Sequence, residues 1–102
     1  MPAAYVIVEM KIADPERYRA YMAAAPATIA AAGGEYVVRG GPLEVLEGDW
    51  QPSRVAVLRF PSLEQARAWY DGEGYRTART HRAGATDYFN AIVVEGYLPP
   101  PA

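Results

Sequence analysis

Few residues in this chain carry chemistry that could act on a ligand. Glu9 and Arg59 fall on two strands expected to lie side by side, with both side chains on one face. A glutamate beside a guanidinium can serve as a proton acceptor tuned by burial, or the two can form a structural ion pair. Arg39 ends a strand at Arg39-Gly40-Gly41-Pro42. There it can clamp a carboxylate or enolate with paired hydrogen bonds, or anchor the glycine turn through a salt bridge. Strand alternation places Glu9, Arg39 and Arg59 together near one end of the sheet, with Trp50 or Tyr75 as a wall. Arg76, Arg79 and Arg82 recur every third residue, a basic stripe on a helix that attracts an acidic ligand or stays solvated. His81 is the lone histidine and so a candidate acid or base, or a bystander on a charged helix. Trp50, Trp69, Tyr70 and Tyr75 supply flat surface for a planar organic molecule, although Trp69 lies on an inward helical face and reads as core.

Other chemistries are excluded. The chain has no cysteine, which removes disulfides, thiolate catalysis and sulfur-ligated metals, and one histidine cannot build a His-rich zinc site. There is no Walker loop, no dinucleotide-binding glycine motif and no nucleophile elbow, so no cofactor and no metal are expected. A net charge of −2 gives no pull towards nucleic acid or an anionic membrane. The apolar stretch Ala3 to Val8 is too short for a bilayer span or a signal sequence, and a cytoplasmic protein is expected.

The elements that must position these residues follow from period and punctuation. Tyr5 to Ile12 alternates as a strand. Asp14-Pro15-Glu16 reads as cap, first helical residue and acidic first turn. Tyr18, Tyr21, Met22, Ala25 and Ile29 form one helical face, Pro26 is expected to kink or split that helix, and Gly33-Gly34 ends it. A second strand, Glu35 to Arg39, turns at Gly40-Gly41 towards a short hairpin partner from Leu43 to Glu47. A third runs from Arg54 to Phe60. Ser62 and Gln65 open a helix with Leu63, Ala66, Trp69 and Tyr70 inward. A short helix from Tyr75 to about Arg82 and a last strand from Ala91 to Glu95 complete a single domain over residues 1–102, with a core from about 4 to 97 and a tail at 98–102.

The order is β-α-β-β-α-β, an α+β ferredoxin-like pattern with an antiparallel sheet and helices on one face. Parity then turns Ile7, Val37, Val55, Val57, Ala91 and Val93 to the uncovered face, beside Glu9, Arg39 and Arg59. That is too much apolar surface for a monomer, so a homodimer joined sheet to sheet is expected.

Several stretches, taken in order, carry a resemblance. They are Ala4-Tyr5-Val6-Ile7-Val8, Asp14-Pro15-Glu16-x-Tyr18, Gly33-Gly34, Arg39-Gly40-Gly41, Glu47-Gly48-x-Trp50, Phe60-Pro61-Ser62, Ala68-Trp69-Tyr70 and Tyr75. Together they resemble domain of unknown function family 1330, from Ala4 to about Gly96. The resemblance implies a dimeric α/β barrel, related to cofactor-free monooxygenases, small isomerases, dye-type peroxidases and stress-responsive proteins. It also implies a pocket between sheet and helices or between subunits. His81 departs from the apolar residue that family members usually carry before the arginine at Arg82. Two function classes remain. One binds a small carboxylated or aromatic molecule at the sheet face, through Arg39, Trp50, Tyr75 and Arg82. The other is a cofactor-free enzyme doing proton transfer, isomerisation or oxygenation on such a compound.

Overall fold

Buried and part-exposed residues alternate along β1 (Ala4–Ile12), and that alternation sets the two faces of the molecule. The computed structural model describes residues 2–101. After β1 come α1 (Pro15–Ala31), β2 (Glu35–Arg39), β3 (Arg54–Phe60), α2 (Leu63–Asp71), α3 (Glu73–Thr80) and β4 (Thr86–Glu95). The sheet order is β2-β3-β1-β4, antiparallel throughout. This is the expected ferredoxin-like arrangement. Val6, Val8, Met10, Ala56, Leu58 and Phe60 meet Tyr21, Ile29, Trp69 and Tyr75 from the helices in one core.

Helix α1 is one element from Pro15 to Ala31, so the expected split at Pro26 does not occur. Proline offers no N–H to the carbonyl four residues back, that of Met22. Arg39 supplies a donor there, its Nη2 standing 3.3 Å from the Met22 oxygen.

Four further expectations need correction. Leu43 to Glu47 pairs with nothing, because β2 hydrogen-bonds directly to β3 and the connection 40–53, with prolines at 42 and 52, adds no ladder. Strand β4 starts at Thr86 rather than Ala91, and its register reverses the expected faces. Val93 opposes Val6 and Ala91 opposes Val8 on the helix side, so Ile92 and Val94 are the residues turned outward. In β2 the ladder slips between Tyr36 and Val38, a bulge that turns Arg39 to the helix side opposite Ala56. On α2, Ala66 and Trp69 are buried as expected, whereas Leu63 and Tyr70 stay partly exposed.

Gly40 follows that bulge at φ 69°, and its N–H bonds the Val55 carbonyl at 3.0 Å. A Cβ there would meet the flexible end of Arg54, which can move aside, so it is the positive φ that demands glycine. Gly40→Ala is expected to cost about 1–2 kcal/mol of stability. Gly41→Ala, whose Cβ meets nothing within 4 Å, should stay near the parent. Urea denaturation checks both, and equal midpoints for parent and Gly40→Ala would refute the demand.

Candidate functional site

The inner face of the sheet carries a cleft roofed by α1. Helix α2 rests on β1, β3 and β4, whereas α1 packs on α3 and stands off the strands. Long side chains fill the gap: Tyr18, Tyr21 and Met22 from α1, Tyr75 from α3, and Met10, Tyr36 and Phe89 from the strands. The free volume left among them is about 30 Å³. Tyr21 and Tyr75 share a hydrogen bond between hydroxyls at 2.7 Å, and the Tyr18 hydroxyl donates to Met10 Sδ. Trp69 stacks 4.1 Å from Tyr75 and donates its Nε1–H to Thr28 Oγ1 at 3.1 Å. It serves the core, as its helical position implies.

Two guanidinium groups line the same cleft, Arg39 from β2 and Arg54 from β3. Arg39 lies 4.5 Å over the Tyr36 ring while bonding the Met22 carbonyl. Among the described residues, no carboxylate comes within 4.0 Å of Arg39, Arg54 or Arg82. Burial pushes the Tyr18 phenol up from 10.0 to about 12, against the opposing pull of Arg54 and Arg82. Burial raises Tyr21 further still, helped by the neighbouring Tyr75 hydroxyl. Tyr36 is raised by burial too, with Arg39 opposing. These phenols are neutral hydrogen-bond donors at physiological pH and not bases.

The chain matches the model of a domain of unknown function, DUF1330, over residues 3–97. It belongs to that family. Among curated proteins of known function none matches the chain. Solved structures that resemble this DUF1330 protein establish its fold. One is a protein of unknown function from Rhodopseudomonas palustris, at 22% identity and TM-score 0.73, covering 96% of this chain and 85% of the other. Another is a dimeric ferredoxin-like protein of unknown function from Thermobifida fusca, at 16% identity and TM-score 0.59, covering 92% and 91%. A third is the cofactor-independent oxygenase SnoaB from Streptomyces nogalater, at 12% identity and TM-score 0.60, covering 100% of each chain. Among the described residues, no helix of the DUF1330 chain is long and apolar enough to cross a membrane.

The expected convergence of Glu9, Arg39 and Arg59 does not occur. Glu9 and Arg59 do share the outer face, but Glu9 opposes Val55 while Arg59 opposes Tyr5. Four residues of strand, about 13 Å, therefore separate them. Arg59 instead pairs with Glu35 at 3.5 Å. Glu9 accepts a hydrogen bond from Trp50 Nε1 at 3.0 Å and a longer one from the Tyr88 hydroxyl at 3.5 Å. Trp50 thus stands on the outer face, 62% exposed, and Tyr75 on the inner one, so they form no common wall. Arg39 is brought together with Tyr75, and with Arg54, which sequence reasoning missed. Arg54 was legible, since it continues the inward parity of Ala56, Leu58 and Phe60 by one step.

The basic stripe is mostly not solvated. Arg79 lies 4.3 Å over Tyr70, and Arg82 lies 3.6 Å over Phe89 with its Nε buried and unpartnered among the described residues. Arg82 stands behind the Phe89 wall and outside the cleft lining. His81 caps the C-terminus of α3, exposed and likewise outside that lining.

Proposed function

We propose that the protein is a cytoplasmic homodimer that binds a small planar organic anion, a carboxylated aromatic, in the cleft beneath α1. One observation carries the reading: two guanidiniums without carboxylate partners, Arg39 and Arg54, line a cleft otherwise built of aromatic rings. Guanidinium takes a carboxylate with charge-assisted bonds, stronger than the 3.3 Å contact Arg39 now makes with a neutral carbonyl. The rings of Tyr21 and Tyr75 offer the flat surface, and their hydroxyls a neutral donor pair.

A second reading, cofactor-free oxygenation or isomerisation, draws on that donor pair, which suits an oxyanion developing on a bound enol or phenol. No Asp, Glu or His lines the cleft, so such a substrate would have to ionise by itself.

Thermal shift with salicylate and its neutral analogue salicyl alcohol tests the binding reading. Salicylate is expected to stabilise the protein and the alcohol is not. Arg39→Ala and Arg54→Ala should each weaken salicylate binding by about 1.5–3 kcal/mol, the worth of a hydrogen bond to a charged group. Equal salicylate shifts in parent and variants would take both arginines out of the site.

A further inference from the structure

The cleft as it stands holds little more than a water molecule, whereas pockets for organic ligands begin at about 300 Å³. A second depression, of about 280 Å³, lies between α2 and β4. Val6, Tyr70 and Ala91 line both spaces. Val6 and Ala91 are short side chains on paired strands, so the movable part of the partition is Tyr70.

Tyr70 is placed to move. It sits one residue before the C-terminus of α2 and is 39% exposed. Its hydroxyl has no hydrogen-bond partner among the described residues, and its ring is held by Arg79 at 4.3 Å and by Tyr75 at 5.7 Å. A cation–π contact between a half-buried arginine and a ring this exposed is a modest restraint. A rotation about χ1 would join cleft and groove into one volume of ligand size. The groove is apolar along Ala66, Ile92 and Val93, and an Arg67–Asp71 ion pair at 3.9 Å belongs to its α2 rim.

We propose that Tyr70 is a gate, and that the opened site takes an aromatic carboxylate bearing an apolar tail. The acid lies at Arg39 and Arg54, the ring against Tyr21 and Tyr75, and the tail passes Tyr70 into the groove. Only the acid end rests on the function proposed above. Gate and groove are read from packing alone.

Three probes separate the parts: benzoate, 4-butylbenzoate and the uncharged butylbenzene, each with the parent protein and with Tyr70→Ala. Calorimetry with the parent should show 4-butylbenzoate binding at least about tenfold tighter than benzoate, the gain from burying a few methylenes. In Tyr70→Ala, association of both butyl probes should speed up at least about tenfold, because the closed population is removed. Benzoate association should speed up as well, because the closed cleft is too small for its ring. A crystal of the parent with 4-butylbenzoate should show the Tyr70 ring rotated and the tail between α2 and β4. Equal affinities for benzoate and 4-butylbenzoate overturn the proposal, as does unchanged butylbenzene association in Tyr70→Ala, or a groove filled by a second copy of the chain. If butylbenzene enters through the gate while benzoate fails to bind, the arginine reading falls and the gate stands.

Discussion

Val57→Asp is expected to sediment as a monomer at micromolar concentrations where the parent protein is expected to show twice the monomer mass. Val57 opposes Ile7, which opposes Ile92 on its other side, so the three form a row across the middle of the outer face. Val55, Val38 and Val94 extend the apolar area, and Ile92 stands 59% exposed in the isolated protomer. The helices pack on the opposite face, and among the described residues no helix lies on this one, where Trp50 of the connection 40–53 bonds Glu9. A second sheet laid against it would bury about 800 Å² per subunit, the size of an ordinary stable association. An aspartate at the centre of that contact would be desolvated without a counter-charge, a penalty of several kcal/mol per ion. The protomer itself should tolerate the change, because the Val57 side chain points away from the core cluster. Circular dichroism and the melting curve of the variant test that point. A Val57→Asp protein that folds and still sediments at twice the monomer mass would place the interface elsewhere.

What the sequence makes legible is the set of elements and one of its two faces. In β1 and β3 the inward positions are apolar except Arg54 and the outward ones mix in Glu9, Lys11 and Arg59, so alternation has contrast and its parity is correct. In β4, Ala91 and Val93 compete with Ile92 and Val94 for the inward side. Both sets are apolar, and only pairing with Val6 and Val8 decides between them. The bulge in β2 leaves no mark on Tyr36-Val37-Val38-Arg39, yet it moves Arg39 from one face of the sheet to the other. That slip takes Arg39 out of the expected site, whose Glu9 and Arg59 the β1–β3 register already separates, and brings it into the cleft with Arg54. It also lets Arg39 reach the carbonyl that Pro26 leaves free, in the helix whose expected split does not appear. The cleft depends on α1 standing off the sheet, a property of packing that no local pattern records.

Folding stability should not change with pH through neutrality on account of the buried phenols, and should fall steeply above about pH 10. Tyr18 is 3% exposed, and burial holds its phenol at about 12 in the fold against 10.0 in the open chain. Below the unfolded value both states keep the proton, and the neutral phenol stabilises the fold in full. Between the two values the unfolded chain releases a proton that the fold retains. The unfolded state then binds fewer protons, and stability declines until pH passes the folded value. Two units correspond to about 3 kcal/mol lost from Tyr18 alone. Tyr21 and Tyr36 are shifted in the same direction and deepen the fall. Urea denaturation at about pH 8 and about pH 11.5 should show the difference, and tyrosinate absorbance should lag in the folded protein. Tyr18→Phe has no proton to lose, so its alkaline loss should be smaller by roughly the Tyr18 share, even though the bond to Met10 is gone. Because tyrosine and arginine are, among the described residues, the ionisable groups lining the cleft, salicylate affinity should also hold constant from about pH 6 to 9. A titration of that affinity near neutrality would mean that His81 or a carboxylate reaches the ligand, and would move the site away from Arg39 and Arg54.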